Sequence, residues 1–153
     1  MALDALTVIW QRLAQVHSLH SQCRSQLQTG WNGQGKGRVS VEPPNANTLI
    51  FNEDGHWQND HGARFPFRNI YRWTLHTQPT GCIALEHLRF GPQKPVFLLD
   101  LVPDGPHHLH AITPHLCGDD RYDATLSLTD ETLHFEWTVK GPAKDEHLLY
   151  IYQ

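Results

Sequence analysis

No stretch of this sequence stays apolar over the ~20 residues that a membrane-spanning helix needs. Only three cysteines, Cys23, Cys82 and Cys117, are scattered through the 153 residues. Three cannot close a disulfide framework, and their spacing fits no zinc knuckle. Basic excess is missing too: twelve Lys/Arg against sixteen Asp/Glu leave a net charge of −4. A general nucleic-acid binder needs a positive surface to displace counterions, so that class is set aside. The N-terminus has acidic Asp4 where a secretory leader carries positive charge, and no clean apolar segment follows. The expectation is a soluble, cytoplasmic chain with no membrane span. With 39% apolar and 18% charged residues, the chain also falls outside the composition of disordered proteins.

What is present divides into two unequal parts. Leu3, Leu6, Ile9, Trp10, Leu13 and Val16 follow the i, i+3, i+4, i+7 spacing of one buried helix face. The pattern predicts a helix over 2–28, with Gly30 as its stop and a stripe that fades after Val16. Residues 1–29 are thus expected to form an N-terminal helix packing on a barrel domain over 30–153. A sharper alternative makes the helix a docking or homodimer surface.

From Trp31 onward, Gly and Pro punctuate short segments rich in Val, Ile, Thr and aromatic residues. Strands are predicted at 33–42, 47–52, 66–77, 81–90, 95–102, 108–116, 120–129, 132–140 and 146–152. The clearest alternates Leu133, Phe135, Trp137 and Val139 with His134, Glu136, Thr138 and Lys140. Glu53-Asp54-Gly55 and Thr129-Asp130-Glu131 read as hairpin turns. Strands in succession without intervening helices predict an antiparallel meander. Curling and closing such a sheet removes its edges. The expected fold is mainly β: an up-and-down barrel of about eight or nine strands, wide enough for packed side chains or one small ligand. A two-sheet sandwich is the competitor.

Several strands carry polar groups that a solid core does not accept. Arg72 and Trp73 stand side by side, and His87 and Arg89 follow Ile83 and Leu85. On one reading these charges face water; on the other they converge on an enclosed cavity, the usual form of a small-molecule site. The densest group is His115-Leu116-Cys117-Gly118-Asp119-Asp120-Arg121-Tyr122, where Gly118 permits a bend. His115 and Asp120 either fix a turn or, with Tyr122, act on a ligand by acid–base chemistry.

Other clusters carry less. Cys117 lacks a local nucleophile signature and reads as a small buried thiol. His107, His108 and His110, and the pair His56 and His61, have no matched carboxylate or thiol ligand, so no metal is expected. The glycines of Trp31-Asn32-Gly33-Gln34-Gly35-Lys36-Gly37 lack the Lys-Ser/Thr ending of a phosphate loop. They read as a sharply coiled strand, with Trp31 closing one end of the barrel.

Two late segments, His115 to Tyr122 and Trp137-Thr138-Val139-Lys140-Gly141-Pro142-Ala143-Lys144-Asp145, resemble an uncharacterised bacterial and fungal domain family of unknown function. Its patterns are H-x-C-G-x-D-x-Y and W-x-V-x-G-P-x-K-D, followed by a closing aromatic strand. The resemblance covers about residues 30 to 152. Glu146 departs from it, standing where the family has an aromatic residue. The resemblance implies a lipocalin-like (calycin) barrel and supplies no activity.

Three functional readings follow. The first is a cavity lined by Trp73, Leu85, Phe97, Phe135 and Trp137, with polar contacts from Arg72, Arg89, His115, Tyr122 and Lys144. Its cations suit an anionic amphiphile. The second is an isomerase- or lyase-type enzyme with His115 as base, Asp120 as its orienting partner and Tyr122 as donor. The third is a filled barrel acting as an interaction module. No cofactor is identified; haem held through His76, His87 or His115 stays open.

Overall fold

The computed structural model describes residues 4–27 and 32–153. Gly30 and Trp31, the expected helix stop and barrel closure, lie outside the described residues. Helix α1 spans Ala5–Leu13. The strands are β1 (Ser18–Ser25), β2 (Gly33–Asn45), β3 (Thr48–Asn59), β4 (Arg64–His76), β5 (Cys82–His87), β6 (Val96–Pro103), β7 (His108–Ala111), β8 (His115–Cys117), β9 (Asp120–Thr129), β10 (Thr132–Gly141) and β11 (Lys144–Tyr152).

The sheet runs antiparallel in the order β10-β11-β1-β2-β3-β4-β5-β6-β7-β9, and β9 pairs back onto β10. Ten strands therefore close a barrel, and the short β8 adds to β9 beside β7. The count exceeds the expected eight or nine for one reason. The helix expected over 2–28 ends at Leu13, and residues 18–25 form a strand between β2 and β11. Leu19, Ser21 and Cys23 are buried, which is the two-residue period of a strand.

Asp4 caps α1 by accepting from the Thr7 amide at 2.8 Å. The apolar stripe is consumed inside the chain: Ile9 and Leu13 are fully buried in the barrel core. Trp10 Nε1 donates to the Ala46 carbonyl at 3.3 Å, and Arg12 Nε to that of Glu131 at 2.6 Å. Both carbonyls belong to hairpin turns at the same end of the barrel, so α1 is a plug for that end. Among the described residues no helix is long and apolar enough to cross a membrane.

The glycines of β2 act as the sequence suggests. Gly37 lies opposite Gly55. A Cβ on Gly55 would collide with the Lys36 carbonyl, and one on Gly37 would meet the Asp54 carbonyl and the Phe67 ring. Phe67 and Trp57 pack against this stretch of β2, where no side chain intervenes.

Because α1 seals the barrel through Ile9 and Leu13, Ile9→Ala is expected to lower unfolding free energy by about 2–4 kcal/mol. Urea denaturation measures it. Unchanged stability would mean that the helix is not part of the cooperative core.

Candidate functional site

Opposite the plug, the barrel interior opens into a cavity of about 330 Å³. The β10–β11 ladder runs along it, pairing Leu133 with Tyr152 at the deep end, then Phe135 with Tyr150, Trp137 with Leu148, and Val139 with Glu146 at the mouth. Trp73, Leu85 and Tyr71 form the facing wall. The aromatic rings make a continuous chain: Phe51–Trp73 at 5.6 Å, Trp73–Phe135 at 5.4 Å, Phe135–Trp137 at 5.1 Å and Trp137–Tyr122 at 6.4 Å between centroids. Edge and tilted contacts of this kind stiffen a wall as well as bury it.

Six of the nine site residues expected from sequence are placed around this cavity: Trp73, His87, Arg89, His115, Tyr122 and Trp137. His87 stacks on Tyr71 at 4.8 Å. Burial first, and then the Arg89 charge, lowers its pKa, favouring the neutral imidazole. Arg89 is exposed at the mouth and lies over the Phe90 ring at 4.9 Å. His115 meets Tyr122 edge-on at 5.8 Å.

The other three sit elsewhere. Arg72 follows the inward-facing Tyr71 and therefore points out; its Nε donates to Glu86 Oε1 at 2.8 Å across the strand pair. It is not a cavity residue. Asp120 and Lys144 form a pair on the rim, with Lys144 Nζ 3.4 Å from Asp120 Oδ2 and 3.4 Å from the Tyr122 hydroxyl. Asp120 thus faces Lys144. The His115 ring has no hydrogen-bond or ion-pair partner among the described residues, so the expected His115–Asp120 relay is not assembled. Phe97, expected in the lining, is 50% exposed. A bulge between Leu85 and Glu86 pairs Glu86 with Phe97 and His87 with Val96, which turns Phe97 outward and brings Val96 and Leu98 to the cavity.

Of the three histidines open to haem ligation, His87 and His115 line the cavity, whereas His76 is exposed at the plugged end. His108 and His110 both approach Asp104 Oδ2, at 3.7 and 3.5 Å, outside the cavity. Among the described residues no group of three or more His, Cys, Asp or Glu side chains is placed to hold a metal ion.

The structure also brings in a group that sequence reasoning missed. Glu53, read as part of a turn, lies in the middle of β3 and is 1% exposed. Tyr152 donates its hydroxyl to Glu53 Oε2 at 2.6 Å, and Glu53 Oε1 has no partner among the described residues. Burial lifts this carboxyl from an ordinary 4.5 to about 7, against the opposing hydrogen bond from Tyr152. Burial first, and then neighbouring charges including Glu53, pushes the phenols of Tyr71, Tyr150 and Tyr152 above their ordinary range. The signal was available: continuing the alternation Leu49, Phe51 through the supposed turn puts Glu53 on the inner face.

The raised pKa fixes the sign of a pH effect. Between pH 4.5 and 7 the folded state holds a proton that the unfolded state has lost, so ionising Glu53 destabilises the fold as pH rises through that window. A shift of this size corresponds to roughly 3 kcal/mol. Glu53→Gln is therefore expected to gain up to roughly that amount relative to wild type between pH 4.5 and pH 8. Parallel urea curves at the two pH values test it. A difference between the proteins that does not change with pH would contradict it.

A search of curated proteins returned no match. The sequence pattern of a family of unknown function (DUF6314) matches residues 13–153, from the last residue of α1 through every strand of the barrel, and the chain belongs to that family.

Proposed function

We propose that the protein binds a small anionic amphiphile, an aromatic or apolar body bearing a carboxylate, inside the barrel cavity. The observation that carries this reading is the polarity of the cavity along its axis. Its deep and middle parts are walled by Trp73, Phe135 and Trp137, while Arg89 and His115 stand at the open end. Arg89 has no carboxylate partner among the described residues, so its planar guanidinium is free to take a bidentate anion. Glu146 lines the same mouth from β11 and forms no ion pair with Arg89. A volume of about 330 Å³ lies at the lower end of small-molecule sites, which favours a ligand of one or a few rings.

The acid–base reading has less support, since Asp120 is held by Lys144 and leaves His115 unoriented. The interaction-module reading needs a filled barrel, and the cavity argues against it.

Calorimetric titration with 2-naphthoate tests the binding reading. Wild type is expected to bind, and Arg89→Ala to weaken binding about tenfold, the scale of one charge-assisted contact at an exposed site. Equal affinity in Arg89→Ala would remove the carboxylate from the proposal. No binding of 2-naphthoate or other small aromatic acids would remove the proposal itself.

A further inference from the structure

One stretch of the barrel wall, beside the cavity mouth, is not laced by a ladder. β6 pairs with β7 only over residues 101–103, and the Ile112 amide adds one bond to the Asp100 carbonyl at 2.9 Å. β8 pairs with β9 alone. Among the described residues, 96–99 of β6 and the whole of β8 therefore share no ladder, although both segments reach the same mouth. The exposed apolar side chains gather along this seam. Val96 and Leu98 face the cavity, so Phe97 between them turns outward, and His115 and Cys117 do the same for Leu116. Phe90 follows Arg89 in the β5–β6 loop, and Ile112 stands where the seam begins. Among the described residues, these four are the large apolar side chains with half or more of their surface in solvent. Such side chains are ordinary when scattered singly and informative when grouped.

The charge of the stretch is as uneven. Neither 88–99 nor 111–118 contains an Asp or Glu, in a chain with sixteen of them, and the first holds Arg89 and Lys94. Glu86, opposite Phe97, is held by Arg72 at 2.8 Å. Asp119 lies beyond Gly118, and Asp120 is paired with Lys144. From this we infer that the outer wall along the β6–β8 seam docks on an anionic lipid surface, with Phe90, Phe97, Ile112 and Leu116 entering the interface and Arg89 and Lys94 meeting its phosphates. Side chains that protrude from separate segments give a folded partner no groove, whereas a fluid interface accepts them without shape matching. The net charge of −4 does not oppose this, because at physiological salt only charges within about 8 Å of the contact act strongly. The inference goes beyond the binding reading and does not depend on it, since none of the four apolar residues lines the cavity. Where both hold, Val96 and Leu98 stand between a lipid-dissolved acid and the cavity.

Co-sedimentation of the full chain with vesicles tests it, using phosphatidylcholine alone and phosphatidylcholine with about one third phosphatidylserine. Wild type is expected to bind the mixed vesicles at least about fivefold more tightly than the neutral ones, and Lys94→Ala to lose about fivefold on the mixed vesicles alone. The double variant Phe90→Ser, Leu116→Ser is expected to lose at least about tenfold on the mixed vesicles. Thermal melts establish that the double variant folds, and Lys94→Ala, on an exposed loop, carries the test if it does not. No binding to the mixed vesicles, equal binding to both kinds, or full binding by the folded variants overturns the inference. A mass that rises with protein concentration in wild type and not in the double variant, without vesicle binding, overturns it in favour of a second copy of the chain. Binding of 2-naphthoate in solution, measured on the same proteins, reports on the cavity separately.

Discussion

The barrel is held shut by β1. Its eight residues bond to β2 on one edge and to β11 on the other, so the beginning of the sheet is joined to its end. Without these two ladders the meander from β2 to β11 would be an open sheet with two long edges, exposing unpaired backbone groups. With them in place, inward side chains along the middle of the strands, such as Leu49, Phe51 and Glu53 on β3, are cut off from water. Whatever the alternation places inside must then find a partner inside. Glu53, Tyr152 and Trp73 are consequences of that closure: each is polar, each is inward, and none can turn to solvent without breaking the register of its strand.

Closure alone does not make a cavity, because a ring of this size can be filled by side chains. The space here is unevenly divided. At the α1 end, Ile9 and Leu13 join Leu101, Leu109, Leu126 and Leu133 in a packed core. On the β2–β3 side, Phe67 and Trp57 press against glycines. No residue of β1, β2 or β3 lines the cavity, which is bounded by β4, β5 and β6 on one side and by β8 to β11 on the other. Glycine on one wall and large aromatics on the other thus confine the open volume to half of the barrel. The aromatic half keeps its shape because its rings brace one another edge to face.

The barrel could be read from the sequence because its strands are short, separated by strong breakers, and strictly alternating where they matter most, as in Leu133 to Val139. The failures have physical causes. The apolar stripe fades after Val16, and Leu19 and Cys23, four residues apart, fit two strand periods and about one helical turn alike, so nothing before Gly30 marked where the helix ends. Glu53-Asp54-Gly55 has turn composition, yet Gly55 is there for its close approach to Gly37, and β3 runs straight through. Phe97 was misplaced because a bulge opposite Glu86 shifts register by one residue, an event that composition does not announce. Arg72 went wrong through its neighbour: Trp73 belongs to the core, and the next residue on a strand belongs to the other face. The cavity lining was therefore legible where one strand decided it, as at His87 and Trp137. It was hidden where two strands had to be set in register first.

The two ends of the cavity hold their polar groups under different physical rules. Arg89 stands in water, where screening limits a charge-assisted contact to roughly the tenfold expected of Arg89→Ala. Its field reaches into solvent and favours the approach of anions, so its effect falls mainly on association and on sensitivity to salt. Trp73 and the Tyr152–Glu53 pair lie in a dry interior, where a neutral hydrogen bond is strong and an unmade one is costly. On the proposed binding reading, an exposed cation at the mouth would draw acids in without choosing closely among them.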